Sequence, residues 1–204
     1  MQSQVKALIV GGGVVGTSIA YHLGKLGWDT MLLERDELTS GSTWHAAGLL
    51  PYFNMSYATT HIHDYSIKFY KRLEQETGLS AGFSVVGNLR MAQTFDRMDE
   101  YMLYASTAET CGVPFEWLSP KEIKERYPLL RTEDLKGAIL HPTDGYINPA
   151  DLTMAMAKGA RQYGVMIERK WQVDGYKWRG DHWDVTCTKM IEAVSYTHLR
   201  AHET

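Results

Sequence analysis

Residues Val5–Val10 form an apolar run of strand length, and apolar positions then recur at helical spacing from Val14 to Leu26, with Gly27 as the stop. Asp29–Glu34 reads as a second strand. An irregular stretch follows from Arg35 to Thr60, carrying Gly41, Ser42, Thr43, Gly48 and Pro51. Loops of this length inside a compact domain are usually functional. Ile62, Tyr65, Phe69 and Leu73 predict a helix over His61–Thr77, ended by Gly78. Gly87–Ala92 reads as a strand and Phe95–Cys111 as a helix closed by Gly112. Ser119-Pro120-Lys121-Glu122 is a helix start with a capping box, and Pro128 ends that short helix. A strand over Lys136–His141, a turn at Thr143–Gly145, a helix opened by Pro149 and running to about Tyr163, and a strand over Val165–Lys170 follow. Gly175–Cys187 reads as a hairpin turning near Gly180-Asp181.

The order of these elements sets the fold class. A strand-helix-strand opening is interrupted by a long excursion before helix and strand resume, whereas a compact nucleotide domain would continue at once. The pattern predicts an α/β, Rossmann-like nucleotide-binding domain at about 4–50, an inserted substrate-domain region at about 51–148, and a return to the nucleotide sheet at about 149–187. Strand Val165–Lys170 would rejoin that sheet, with Val173 just beyond it near the adenine of a bound dinucleotide.

Gly11-x-Gly13-x-x-Gly16 lies between the first strand and the first helix. Gly11 permits a tight turn, Gly13 lets the backbone approach a pyrophosphate, and Gly16 lets helix pack on strand. The helix then aims its N–H groups and positive dipole end at the phosphates. Glu34 follows Gly16 at close to the ~20-residue spacing of an acid that accepts hydrogen bonds from the adenosine ribose. The loop Gly41-Ser-Thr-Trp-His-Ala-Ala-Gly48 adds a histidine in a setting rich in N–H and hydroxyl donors. A glycine turn, a ribose acid and such a histidine together point to a flavin.

Composition narrows the rest. The formal net charge is −3 with mixed signs and no basic block, so nucleic acid is not an expected partner. Hydrophobic residues make up 44% and no stretch approaches a membrane span. Cys111 and Cys187 stand isolated, which fits a reducing compartment. The first strand starts near residue 4, leaving no room for a targeting segment, which predicts a cytoplasmic protein of bacterial type. Val194–Thr204 matches one reading frame of a transposon-type sequencing adapter and is expected to be read-through, not native sequence. On that reading 1–193 is the N-terminal part of a longer oxidoreductase domain, and His198 and His202 are no metal pair. Arg200 and Glu203 cancel, so the charge does not depend on it.

The residues carry a family. Glu37-Leu-Thr-Ser-Gly41-Ser-Thr-Trp-His45-Ala-Ala-Gly48-Leu49 resembles the flavin loop of dimethylglycine and sarcosine dehydrogenases, within the D-amino-acid-oxidase-like FAD superfamily. His141-Pro-Thr-Asp-Gly145-Tyr-Ile-Asn-Pro149-Ala-Asp-Leu-Thr153 resembles a second family segment, and Phe83–Met91 and Gly112–Phe115 fit its pattern. The resemblance implies FAD in a glutathione-reductase/D-amino-acid-oxidase type of fold. The cofactor-binding positions it implies are Gly11, Gly13, Val14, Val15, Gly16, Glu34, Arg35, Gly41, Ser42, Thr43, Trp44, His45, Ala46, Ala47, Gly48, Leu49 and Val173. It also implies a covalent bond from His45 to the 8α carbon of the flavin ring. That methyl group is electrophilic once a proton leaves it, a neutral imidazole can add there, and the reduced adduct is then reoxidised. Gly41, Ser42 and Thr43 would present donors to the pyrophosphate, and Trp44 would pack on the flavin or serve generic packing.

The implied reaction is oxidation of an N-methyl amino acid by hydride transfer to flavin N5. The iminium then hydrolyses to demethylated amine and formaldehyde, or passes its one-carbon unit to tetrahydrofolate in a full-length protein. Two alternatives stay open: another flavin amine or amino-acid oxidase of the same superfamily, and a non-catalytic paralogue that keeps the fold. The electron acceptor and the catalytic acid or base are not assigned. Arg90 is a candidate for the substrate carboxylate or a solvent-facing strand position. His61-x-His63 reads as a surface helix start, Asp144 and Asp151 as turn and capping residues, Met154 and Met156 as core, and Trp171, Trp178 and Trp183 as hairpin packing.

Overall fold

The computed structural model of the protein describes residues 4–52 and 56–190, and the backbone of 196–202. The elements begin with β1 (Gln4–Val5), β2 (Ala7–Val10), α1 (Val14–Lys25) and β3 (Thr30–Glu34). A 3-10 turn at Thr43–His45, β4 (Leu49–Leu50), α2 (Tyr57–Thr77), β5 (Ser84–Val85), β6 (Asn88–Ala92) and α3 (Phe95–Thr110) follow. Next come β7 (Glu116–Leu118), α4 (Pro120–Arg126), β8 (Gly137–His141), β9 (Gly145–Tyr146) and α5 (Pro149–Gln162). β10 (Met166–Arg169), β11 (Trp171–Trp178), β12 (His182–Lys189) and β13 (Tyr196–His202) complete the chain.

Two compact units share these elements. One comprises Met1–Ala47, Arg72–Ala81 and Asn148–Thr204, the other Gly48–Lys71 and Gly82–Ile147. The excursion anticipated at about 51–148 is therefore not continuous, because residues 72–81 belong with the nucleotide unit. The reason lies in the last turns of α2, where Tyr21 hydrogen-bonds Glu76 and Lys25 pairs with Glu76 at 2.9 Å.

In the first unit, β2, β3 and β10 form a parallel sheet in the order β10-β3-β2. β3 is buried along its whole length, as expected of a parallel strand covered on both faces. Helices α1 and α5 pack closely because each offers a glycine: a Cβ on Gly24 would lie 2.6 Å from Val165 Cγ2, and one on Gly159 would lie 2.6 Å from Tyr21 Cε2. The strand over Val165–Lys170 rejoins the sheet as anticipated, with Arg169 opposite Glu34. The hairpin is longer than its sequence pattern suggested, with β11 and β12 antiparallel and the Trp183 ring tilted against that of Trp178 at 5.2 Å. Val5, Met31, Leu33, Trp171, Val185 and Cys187 form the core beneath it.

The segment set aside as foreign also enters a sheet. The backbone of Tyr196–His202 pairs with β12 antiparallel and β1 parallel. Ladder bonds are backbone bonds, so an open strand edge accepts a chain of almost any composition. Residues 191–195 and 203–204 and the side chains of 196–202 lie outside the described residues, so the His198/His202 pair has no structural reading.

The second unit holds two three-stranded sheets, β4-β9-β5 and β6-β8-β7. Leu118, Ile123, Ala138 and Leu140 make one core cluster and Ala92, Tyr101, Ala105 and Ile139 another. The capping box at Ser119 forms as read, with Ser119 N donating to Glu122 at 2.8 Å. Other expectations are corrected. The helix placed over His61–Thr77 starts at Tyr57, because the Ser56 hydroxyl accepts from Thr59 N and begins it earlier. Residues 53–55 of the expected loop lie outside the described residues. Gly145, read as turn, opens a short strand.

Candidate functional site

The glycine turn is built by close contact. Gly11 has φ +106°, a conformation L side chains rarely adopt, and a Cβ on Gly16 would lie 2.0 Å from the Gly11 carbonyl oxygen. Only glycine at Gly16 lets α1 start this near β2. The N-cap of α1 is Gly13, which has no side chain to cap it, and the first turn carries no acidic residue. The helix therefore presents an electropositive end, the setting of an anion site.

A distant loop supplies part of the missing cap. The Thr43 hydroxyl accepts from Val14 N at 3.0 Å and is buried against the turn. A Cβ on Gly13 would lie 2.9 Å from that hydroxyl. Glu34 at the end of β3 is only 8% exposed. Its carboxylate accepts from Gly12 N at 2.6 Å and from Asp36 N at 2.8 Å. Gly12 is one site residue that motif reading missed; it occupies an unspecified position of the fingerprint, and its place in the middle of three consecutive glycines was the available signal.

These parts surround one cavity of about 950 Å³. Of the positions anticipated, Gly11, Gly13, Val14, Val15, Gly16, Glu34, Arg35, Gly41, Ser42, Thr43, Ala46 and Val173 line it. Trp44, His45, Ala47, Gly48 and Leu49 are not in its lining; Trp44, His45, Ala47 and Leu49 are exposed and Gly48 is half-buried with φ +71°. Asp36, Ser40, Trp171 and Gln172 line it without having been anticipated, so Trp171 serves the cavity as well as the hairpin core. Val10 and Val15 on the wall are 63% and 70% exposed, apolar surface of the kind a flat ligand covers. Backbone donors, a carboxylate at the strand end and apolar walls at the carboxyl ends of parallel strands fit a dinucleotide.

His45 closes the 3-10 turn beside this cavity. Its Nδ1 lies 3.2 Å from the Gly41 carbonyl oxygen and its ring 3.9 Å from that of Trp44. A carbonyl can only accept, so in that contact Nδ1 is the donor, and in the matching tautomer the lone pair would lie on Nε2.

A model of the DAO family of FAD-dependent oxidoreductases matches residues 6–197. The chain belongs to this family. It is 44% identical over 186 residues to the mitochondrial dimethylglycine dehydrogenase of Rattus norvegicus, covering 90% of this chain and 22% of the relative. It is 41% identical over 182 residues to the formaldehyde-forming 4-methylaminobutanoate oxidase of Paenarthrobacter nicotinovorans, covering 89% and 22%. The chain thus spans about a fifth of the length of these relatives. Among solved structures, L-proline dehydrogenase from P. horikoshii superposes with a TM-score of 0.88 at 25% identity, covering 99% of this chain and 52% of that one.

The remaining candidates fall elsewhere. The Arg90 guanidinium stands 4.9 Å from the centre of the Tyr104 ring, and the residue is partly exposed. His61 and His63 lie inside α2, and no metal-binding group of His, Cys, Asp or Glu occurs among the described residues. Asp144 is more than a turn residue, being a buried carboxylate that accepts from Tyr52 N at 2.7 Å and Asn88 Nδ2 at 3.1 Å. Asp151 does not cap α5; Asn148 does, accepting from Ala150 N and Asp151 N. Met156 is core, but Met154 is 45% exposed. No helix of the described residues is long and apolar enough to cross a membrane.

Proposed function

We propose that the protein oxidises a small N-methyl amino acid, dimethylglycine or sarcosine, using FAD bound on this chain and bonded through His45. Bound FAD supplies the acceptor for the hydride that leaves the carbon next to nitrogen. The chain does the holding. The Gly11–Gly16 turn and α1 would receive the pyrophosphate, Glu34 would accept from ribose hydroxyls, and Val173 would pack toward the adenine. Nε2 of His45 would be the nitrogen to bond the ring, since Nδ1 is turned to the Gly41 carbonyl.

The observation that carries this reading is the single cavity shared by the glycine turn, Glu34 and the Gly41–Thr43 loop, with His45 at the end of that loop. The substrate class rests on relatives named for N-methylated amino acids. Acid precipitation tests the tether. Flavin is expected to stay with the precipitated protein and to be released from the His45→Ala variant, which still binds it before denaturation. Equal acid-stable flavin in both proteins would sink the covalent role. Turnover of dimethylglycine, sarcosine and 4-methylaminobutanoate by the flavin-loaded full-length protein then sorts the substrates.

A further inference from the structure

Lys170 stands at the junction of β10 and β11 with φ +63°, one of two non-glycine residues in the left-handed region among the described residues. An L side chain there costs about 1 kcal/mol or more and persists only where its surroundings impose it. Two sets of contacts do so. The Lys170 carbonyl accepts from Met190 N at 2.7 Å, which fixes the turn into β11 and delivers Gln172 and Val173 to the cavity wall. Its ammonium lies 2.6 Å from Asp36 Oδ1 and 3.3 Å from Glu37 Oε1. Asp36 in turn donates its N–H to Glu34 Oε1 at 2.8 Å, while Gly12 N holds Oε2 at 2.6 Å.

We propose that Lys170 is a positioning residue for nucleotide binding: it pins the Asp36–Glu37 corner so that the Glu34 carboxylate is held toward the ribose, and it ties that corner to the β11 wall. The pairing is strong enough to hold the Asp36 and Glu37 carboxyls below, and the Lys170 ammonium above, their usual ranges. Isolated exposed ion pairs contribute little to stability. The expected effect is therefore on ligand geometry and not on folding. This inference rests on the dinucleotide reading of the cavity.

The test uses the flavin-free His45→Ala chain titrated calorimetrically with ADP and with 2′-deoxy-ADP. The chain with Lys170 intact is expected to prefer ADP. Lys170→Met should weaken ADP about fivefold to tenfold, the size of one ordinary hydrogen bond, and narrow the preference over 2′-deoxy-ADP. Lys170→Arg should retain both. Lys170→Gly relieves the backbone but removes the ammonium, and should bind as weakly as Lys170→Met. Tight, ADP-selective binding by Lys170→Gly would show that only the turn matters and overturn the proposal, as would unchanged binding by Lys170→Met. Failure of the chain with Lys170 intact to bind ADP would sink the dinucleotide reading itself, and this proposal with it.

Discussion

Glu34 and Asp144 are both buried carboxylates, 8% and 1% exposed, and each accepts two hydrogen bonds from its own unit. Glu34 takes both from backbone N–H groups at the edge of a cavity, and its carboxylate keeps further acceptor capacity there. Asp144 takes one from the Tyr52 backbone and one from the Asn88 side chain, while its own carbonyl accepts from Gly87 N at 2.8 Å. Three chain segments of the second unit thus meet on Asp144. The buried His141 stands in the same turn, its imidazole pushed below its usual range by desolvation against the opposing pull of Asp144. The lesson is that burial of a charge does not mark a ligand site. What separates the two residues is whether the carboxylate edges open space or joins segments of the chain.

Changes to the glycine turn should separate the units most sharply. Gly16→Val would drive its Cβ into the Gly11 carbonyl, a backbone atom that cannot move without undoing the turn. The expected cost is about 3 kcal/mol or more, with flavin binding lost and the thermal midpoint lowered. Gly13→Val meets only the Thr43 hydroxyl, the end of a side chain, and its φ of −80° suits any residue. It should lose no more than about the 1 kcal/mol of the Thr43 cap, far less than Gly16→Val, and fail to retain flavin. If both variants lose stability equally, the distinction between packing glycine and ligand-approach glycine is wrong.

Asp144→Ala is the corresponding break in the second unit. It strands the Tyr52 N–H and the Asn88 amide, two part-buried donors that each cost up to about 1–3 kcal/mol without a partner. A loss of about 2–4 kcal/mol in denaturant unfolding is expected. Asp144→Asn should recover most of it, because its oxygen can still accept from Tyr52 N while a flipped Asn88 takes the new N–H₂. If Asp144→Asn is as damaging as Asp144→Ala, the carboxylate acts by charge and not as a joint.

The same contrast explains what could be read along the chain. The first unit was legible because its logic is local: Gly11, Gly13, Gly16 and Glu34 act within one strand-helix-strand span, and the Val165–Lys170 strand announced its return by an apolar run. The capping box at Ser119 is equally local. The joint at Asp144 was not legible, because its partners Tyr52 and Asn88 are far apart in sequence and no spacing rule connects them. The short strands β5, β7 and β9 were missed for the same reason, since two or three residues carry no period and exist only through their partners. Lys170 is a third case, a lysine where propensity would place glycine.

Thr43 offers the finest test, because it tells whether the flavin loop is pinned before any ligand arrives. Its hydroxyl caps α1 at Val14 N from 29 residues downstream, where Gly13 provides no cap of its own. Removing a helix cap typically costs about 1 kcal/mol. Thr43→Val keeps the β-branched shape and deletes only the oxygen, so the flavin-free protein is expected to lose about that much stability. Thr43→Ser, which keeps the hydroxyl, should not. The two variants should also differ in acid-stable flavin, since an unpinned loop holds His45 less well. Equal stability in Thr43→Val and the parent would mean that water caps Val14 as effectively, leaving the loop to be ordered by the cofactor instead of waiting in place for it.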